Sequence, residues 1–127
     1  MTALDDRGLP HGMHVNTELE ITPRDLHAMR SRREAVTVVD VRTHAERAIA
    51  RLPDCVHIPL DELPNRIDEL AEHHNSFVVT LCERGRRSLR AADILRGGGL
   101  QRVRSLAGGI QLWAIDIDPS VATKPTC

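Results

Sequence analysis

Leu81-Cys82-Glu83-Arg84-Gly85-Arg86-Arg87-Ser88-Leu89 is the stretch that decides how the rest of the chain is read. Before it stands Phe77-Val78-Val79-Thr80-Leu81, a short apolar, β-favouring run that predicts a buried strand. After it, Ser88 to Arg96 predicts a helix that stops at Gly97-Gly98-Gly99. One cysteine therefore falls at a strand end, a tight loop of about five residues follows, and a helix begins at Ser88. Backbone N–H groups in such a loop point inward, and the helix start adds partial positive charge. Arg84, Arg86 and Arg87 add full charges against the single acid Glu83. That setting favours a thiolate at Cys82 and holds an anionic substrate.

Working outward, strand and helix signals alternate. Leu19 to Ile21 predicts a short edge strand. Thr22 caps a helix that has Pro23 in its first turn, runs to about Ser31, and turns Leu26 and Met29 to the core. Val36 to Val41 is nearly continuous and β-branched, as a parallel strand covered on both faces requires. Thr43 to Ala50 predicts a short helix, and Val56-His57-Ile58 a brief strand closed by Pro59. A helix from Asp61 or Glu62 to Ala71 carries Leu63, Ile67 and Leu70 at helical spacing. Val103 to Leu106 predicts a further strand, and Gly108-Gly109 a turn into a last helix, Ile110 to about Ile115. This order implies an α/β sandwich with a mostly parallel sheet, and its site lies beyond the carboxyl ends of the strands. Residues 1–16 read as a flexible leader, 17–121 as the domain and 122–127 as a short tail.

The chain has 127 residues, enough for one domain with its own core. A net charge of −1 argues against nucleic acid or an anionic membrane as the main partner. No run approaches the roughly 20 apolar residues of a membrane span, and the N-terminus has no secretory h-region. Aromatic rings are confined to Phe77 and Trp113, so the core is built from Leu, Ile, Val and Ala. Three cysteines, Cys55, Cys82 and Cys127, fit neither a C-x-x-C pair nor a zinc cluster. No metal and no cofactor are expected, and a reduced cytoplasmic home is the simplest reading. Cys55 reads as buried and inert, and Cys127 as exposed.

The wording C-x-x-G-x-R-S, carried by Cys82, Gly85, Arg87 and Ser88, resembles the active-site loop of rhodanese-like sulfurtransferases, and the likeness runs over roughly residues 18–121. It implies a three-layer sandwich around a mostly parallel five-stranded sheet with helices on both faces. It also implies sulfur transfer by a persulfide on Cys82. The thiolate takes the outer sulfur of a small anionic donor such as thiosulfate and passes it to cyanide, a thiol or an acceptor protein. Glu83, Arg84, Gly85, Arg86, Arg87 and Ser88 then form the substrate-binding loop. Arg84 and Arg86 at its crest hold the anion, or else are plain solvated charge. Arg87 binds substrate or anchors the loop from beneath. Ser88 caps the helix and can also reach the site. The basic loop leans toward thiosulfate over 3-mercaptopyruvate.

Val39-Asp40-Val41-Arg42 with Glu46 resembles the family's D-V-R…E element, and an ion pair supporting the neighbouring loops is preferred there over direct substrate contact. Ala50, Arg51 and Asp54 stand where the family usually has Gly, His and Gly, and Arg47 where an aromatic is common, so Arg47 or Arg51 could add charge near the pocket. Leu106-Ala107-Gly108-Gly109, followed by Trp113, resembles the closing L-x-G-G-x-x-x-W. The glycines there put helix amides near the site mouth, and Trp113 packs. The ending Ile117-Asp118-Pro119 resembles that of domains fused to enzymes that activate sulfur carriers, which leaves a relay carrier open beside a free-standing enzyme, as a monomer or weak dimer. A cysteine-dependent phosphatase or arsenate reductase needs its arginine six positions after the cysteine. Ser88 stands there, and Arg87 is one residue early. A non-catalytic interaction module of the family commonly lacks the cysteine that is present here.

Overall fold

The computed structural model describes residues 4–73 and 76–121. Five strands, β1 (Glu20–Ile21), β2 (Val36–Asp40), β3 (Cys55–His57), β4 (Phe77–Leu81) and β5 (Val103–Leu106), form one sheet in the order β1-β5-β4-β2-β3. Every pairing is parallel. The helices are α1 (Pro23–Ser31), α2 (His44–Ile49), α3 (Leu63–Arg66), α4 (Arg86–Gly97) and α5 (Gly109–Asp116).

Alternation along the central strands sets the layers. Val39 and Val78 face one core with Leu63, Leu70, Ala91, Ala92 and Leu95, beneath α3 and α4. Val38 and Val79 face the other with Leu26, Ile110 and Trp113, beneath α1 and α5. Covered on both sides, these strands are β-branched almost throughout. The sandwich with helices on both faces is the one expected. The chain steps from β2 outward to β3, and from β4 outward in the opposite direction to β5. The crevice beyond the carboxyl ends of β2 and β4 is thus the topological switch point of the sheet. Cys82 leaves β4 at that point, and Val41 continues β2 beside it, its amide donating to the Leu81 carbonyl at 2.9 Å.

Local chemistry explains most boundaries. Thr22 accepts from the Asp25 amide at 3.1 Å and caps α1. Thr43 and Glu46 form a capping box on α2. Elsewhere the structure departs from the sequence reading. The helix expected up to Ala71 is α-helical only over Leu63–Arg66 and continues as a 3₁₀ helix over Ile67–His73. Ile67 and Leu70 are three residues apart, which aligns them on one line of the tighter helix. β3 lies one residue earlier than expected, leaving Val56 outward and Cys55 half-buried.

Residues 4–16, read as a flexible leader, touch the domain. Leu9 is 0% exposed. Asp5 accepts from the Arg7 and Leu9 amides at 2.8 and 3.1 Å. Arg24 holds both Asp116, at 2.9 Å, and the Asp6 carbonyl, at 2.8 Å. Cys127 and the short tail lie outside the described residues, as does His74. Among the described residues no helix is long and apolar enough to cross a membrane, and no cluster of three or more His, Cys, Asp or Glu could hold a metal.

Candidate active site

The loop after β4 is shorter than the sequence suggests. Gly85, at φ +102°, serves as N-cap of α4, so the helix begins at Arg86 and not at Ser88. The left-handed angle is one that only glycine adopts without strain, and a Cβ there would lie 3.1 Å from the Gly108 amide nitrogen. Ser88 therefore occupies the third helical position and caps nothing. Its hydroxyl turns inward to the cysteine instead.

Cys82 Sγ accepts the Gly85 N–H at 3.0 Å and lies 3.3 Å from Ser88 Oγ. The residue is only 1% exposed, at the floor of a pocket of about 300 Å³ lined by Cys82, Glu83, Arg84, Arg86 and Arg87. The amides of Ile110 and Gln111, in the first turn of α5, donate to the carbonyls of Cys82 at 2.9 Å and Glu83 at 3.1 Å. They grip the underside of the loop and do not face the site mouth as expected. In a trans peptide the C=O and the following N–H point opposite ways. Drawing those two carbonyls toward α5 therefore turns the Glu83 and Arg84 amides away from it. Gly109 makes this approach possible, since a Cβ there would stand 2.4 Å from the Glu83 carbonyl oxygen.

The charges divide into two groups. Arg84 and Arg86 are exposed and have no acidic partner within ion-pair distance among the described residues. Arg87, by contrast, reaches Glu46 with two hydrogen bonds at 2.6 and 2.7 Å and ties the start of α4 to α2. That guanidinium, aided by the Thr43 amide, holds the Glu46 carboxyl at about 2 against the opposing effect of burial. Beneath the loop, Arg42 is wholly buried. Its Nε donates to Asp40 Oδ1 at 3.0 Å, and its Nη2 donates to Asp40 Oδ2 at 2.9 Å and to the Ala50 carbonyl at 2.6 Å. Glu83, also buried, turns its carboxylate down toward Arg42 Nη1, 3.7 Å away, and accepts from Gln111 Nε2 at 3.1 Å. Glu83 thus lines the pocket while its charge faces the support below.

Two hydroxyls that sequence reasoning does not single out complete the site. Ser105 Oγ on β5 lies 2.7 Å from Ser88 Oγ, and Thr80 Oγ1 on β4 donates to the Ser88 carbonyl at 2.7 Å. The available signal is a polar residue at a core-facing position: Ser105 is two residues from Val103, on the same side of its strand. Trp113 is buried against His27, with ring centroids 6.0 Å apart, and does not line the Cys82 pocket. Neither Arg47 nor Arg51 lines the Cys82 pocket. Cys55 is half-buried, and burial pushes its thiol up to about 11. A larger cavity of about 440 Å³ lies between α4 and the segment after β3, with Val41, Leu60, Pro64 and Ile94 among its walls. It meets the Cys82 pocket only at Arg87, and no cysteine is among its lining residues.

A buried cysteine that accepts a loop amide, at the switch point of a parallel sheet, is the centre of this α/β domain. The rhodanese-like domain model matches residues 22–116, and the chain belongs to that family. It is 37% identical over 105 residues to a sulfurtransferase of Allochromatium vinosum, covering 83% of this chain and 96% of that protein. It is 29% identical over 120 residues to the adenylyltransferase and sulfurtransferase MOCS3 of Arabidopsis thaliana, covering 84% of this chain but only 26% of that longer protein. A rhodanese-like domain protein from Staphylococcus aureus superposes with a TM-score of 0.71 at 26% identity, over 84% of this chain and 99% of that one.

Proposed function

We propose that the protein moves a sulfane sulfur from thiosulfate, or a donor of similar charge and size, through a persulfide on Cys82. The observation that carries this reading is the Gly85 N–H on Cys82 Sγ, 3.0 Å away at the floor of a pocket whose rim holds Arg84 and Arg86, which have no acidic partner among the described residues. The Cys82 thiolate attacks the outer sulfur of thiosulfate. A Cys82–S bond forms as the donor's S–S bond breaks, and the electron pair leaves with sulfite. Cyanide or a thiolate then attacks the terminal sulfur of the persulfide, and Cys82 departs as thiolate. Two half-reactions on one nucleophile give ping-pong kinetics. No proton transfer is needed, so no general base is required. The loop amides offset the negative charge that the persulfide carries.

Burial supports sulfur over phosphoryl chemistry. Cys82 is only 1% exposed, and a terminal sulfur presents a single atom to Sγ where a phosphoryl group brings three further oxygens; the phosphatase arginine position is filled by Ser88. Arg84 and Arg86 bind the donor, while Arg87 with Glu46, and Arg42 with Asp40, position the loop. Handing the sulfur to an acceptor protein is a second reading, favoured by the similarity to a relative whose name joins adenylyltransferase with sulfurtransferase.

Intact mass after incubation with thiosulfate tests the proposal. One added sulfur atom, removed again by cyanide, is the expected result; an unchanged mass together with absent thiocyanate release overturns it. In steady-state assays, Arg84→Ala/Arg86→Ala raises KM for thiosulfate about tenfold, since each guanidinium removed takes a charge-assisted hydrogen bond from the bound dianion. An unchanged KM removes both arginines from donor binding.

A further inference from the structure

Ser105 takes no part in the transfer steps above, yet it is wholly buried and aimed at them. Its Oγ lies 2.7 Å from Ser88 Oγ and 3.5 Å from the Gly85 carbonyl oxygen, and Ser88 Oγ lies 3.3 Å from Cys82 Sγ. Each hydroxyl has one proton to donate and lone pairs to accept. Counting protons fixes how the chain can run. With the sulfur protonated, S–H donates to Ser88, Ser88 donates to Ser105, and Ser105 donates toward the Gly85 carbonyl. With the sulfur ionised it only accepts, so Ser88 turns its proton onto Sγ and Ser105 turns its own onto Ser88. Thr80 is not part of this chain: its hydroxyl donates to the Ser88 carbonyl at 2.7 Å, and no hydrogen bond joins it to Ser88 Oγ among the described residues.

We propose that Ser105 is a positioning residue: it acts through Ser88 as the second hydroxyl of a reversible chain whose direction follows the charge on Cys82. The proposal deepens the sulfur-transfer reading, because that chemistry begins and ends on the Cys82 thiolate. In the thiol form Ser105 is the acceptor for the Ser88 proton. In the thiolate form it polarises the Ser88 hydroxyl toward Sγ. Removing it affects the two forms unequally. The thiol form is left with a buried O–H that has no acceptor, a large cost. The thiolate form loses only the polarisation of a bond it keeps, a smaller one. The thiol form suffers more, so Ser105→Ala favours the thiolate.

The charged groups around the sulfur are Arg84, Arg86 and Arg87 on the loop and α4, with Glu83 beside them, Glu46 on α2 behind Arg87, and Asp40 and Arg42 beneath. All are the same in every variant compared. The test is the pH dependence of iodoacetamide alkylation at Cys82 in the full chain, followed by peptide mass. It needs no sulfur donor, so it fails or succeeds independently of the transfer reading. Ser105→Ala moves the rise in alkylation rate to lower pH by about one unit, a tenfold change in the thiolate-to-thiol ratio. In a Ser88→Ala background the same substitution moves the profile by much less, because only the weaker 3.5 Å contact to the Gly85 carbonyl then joins residue 105 to the loop around the sulfur. An unmoved or upward-moved profile in the single variant overturns the proposal, as does an equal shift with and without Ser88.

Discussion

Cys82→Ser takes up no sulfur from thiosulfate and releases no thiocyanate, while Cys55→Ser retains both activities. The first variant keeps the fold, because serine is slightly smaller and its oxygen accepts the Gly85 N–H that now meets Sγ at 3.0 Å. What it lacks is a thiol, the more nucleophilic group of the two. A serine hydroxyl needs an adjacent base, and none is present: the rim is arginine, and the Glu83 carboxylate is turned down toward Gln111 Nε2 at 3.1 Å. Without base assistance or thiolate character, turnover falls by roughly a thousandfold or more. Cys55 cannot substitute. Burial pushes its thiol up to about 11, so only a minor fraction ionises near neutral pH, and it sits on the edge strand β3 away from the loop. Intact mass with thiosulfate reads both variants directly. Sulfur uptake that survives Cys82→Ser and disappears with Cys55→Ser would move the nucleophile to the other cysteine.

The sheet is legible in the sequence because its strands are short β-branched runs separated by helix signals, and parallel order follows from that alternation. The loop is legible in residue type, through Cys82, Gly85 and the arginines, but not in extent. Ser88 carries a side chain suited to capping, whereas the structure caps α4 with the backbone of Gly85 at φ +102°. A glycine cap leaves no side-chain signal, so the sequence puts the helix start two residues late. The role of Arg87 stays open between substrate and anchor until the fold is known, because its partner Glu46 is 41 residues away. Ser105 is silent for a related reason. A lone serine in a strand shows its meaning only when the facing helix is known to present Ser88. Leu9 shows the same limit at the N-terminus, where a segment without periodicity still buries one apolar side chain.

Arg42→Ala produces the largest loss of stability among the site's supports, about 3–5 kcal/mol by urea denaturation, and loss of transfer with it. Arg42 and Asp40 are both buried, and water cannot solvate whichever partner remains. Removing the guanidinium leaves the Asp40 carboxylate with only the residue 42 amide, strands the Ala50 carbonyl 2.6 Å from Nη2, and takes from Glu83 the cation 3.7 Å away, leaving it Gln111 alone. A domain holds only about 5–15 kcal/mol in total, so a large part of the folded margin disappears. Asp40→Ala/Arg42→Ala removes one of the stranded charges and regains part of the loss. It does not restore transfer, because Glu83 still lacks the cation that draws its segment of the loop downward. A pair that served packing alone would give the opposite pattern, with activity returning as the urea midpoint recovers. Stability and sulfur uptake measured on the same two variants therefore separate a scaffold role from a tie that sets the shape of the Cys82 loop.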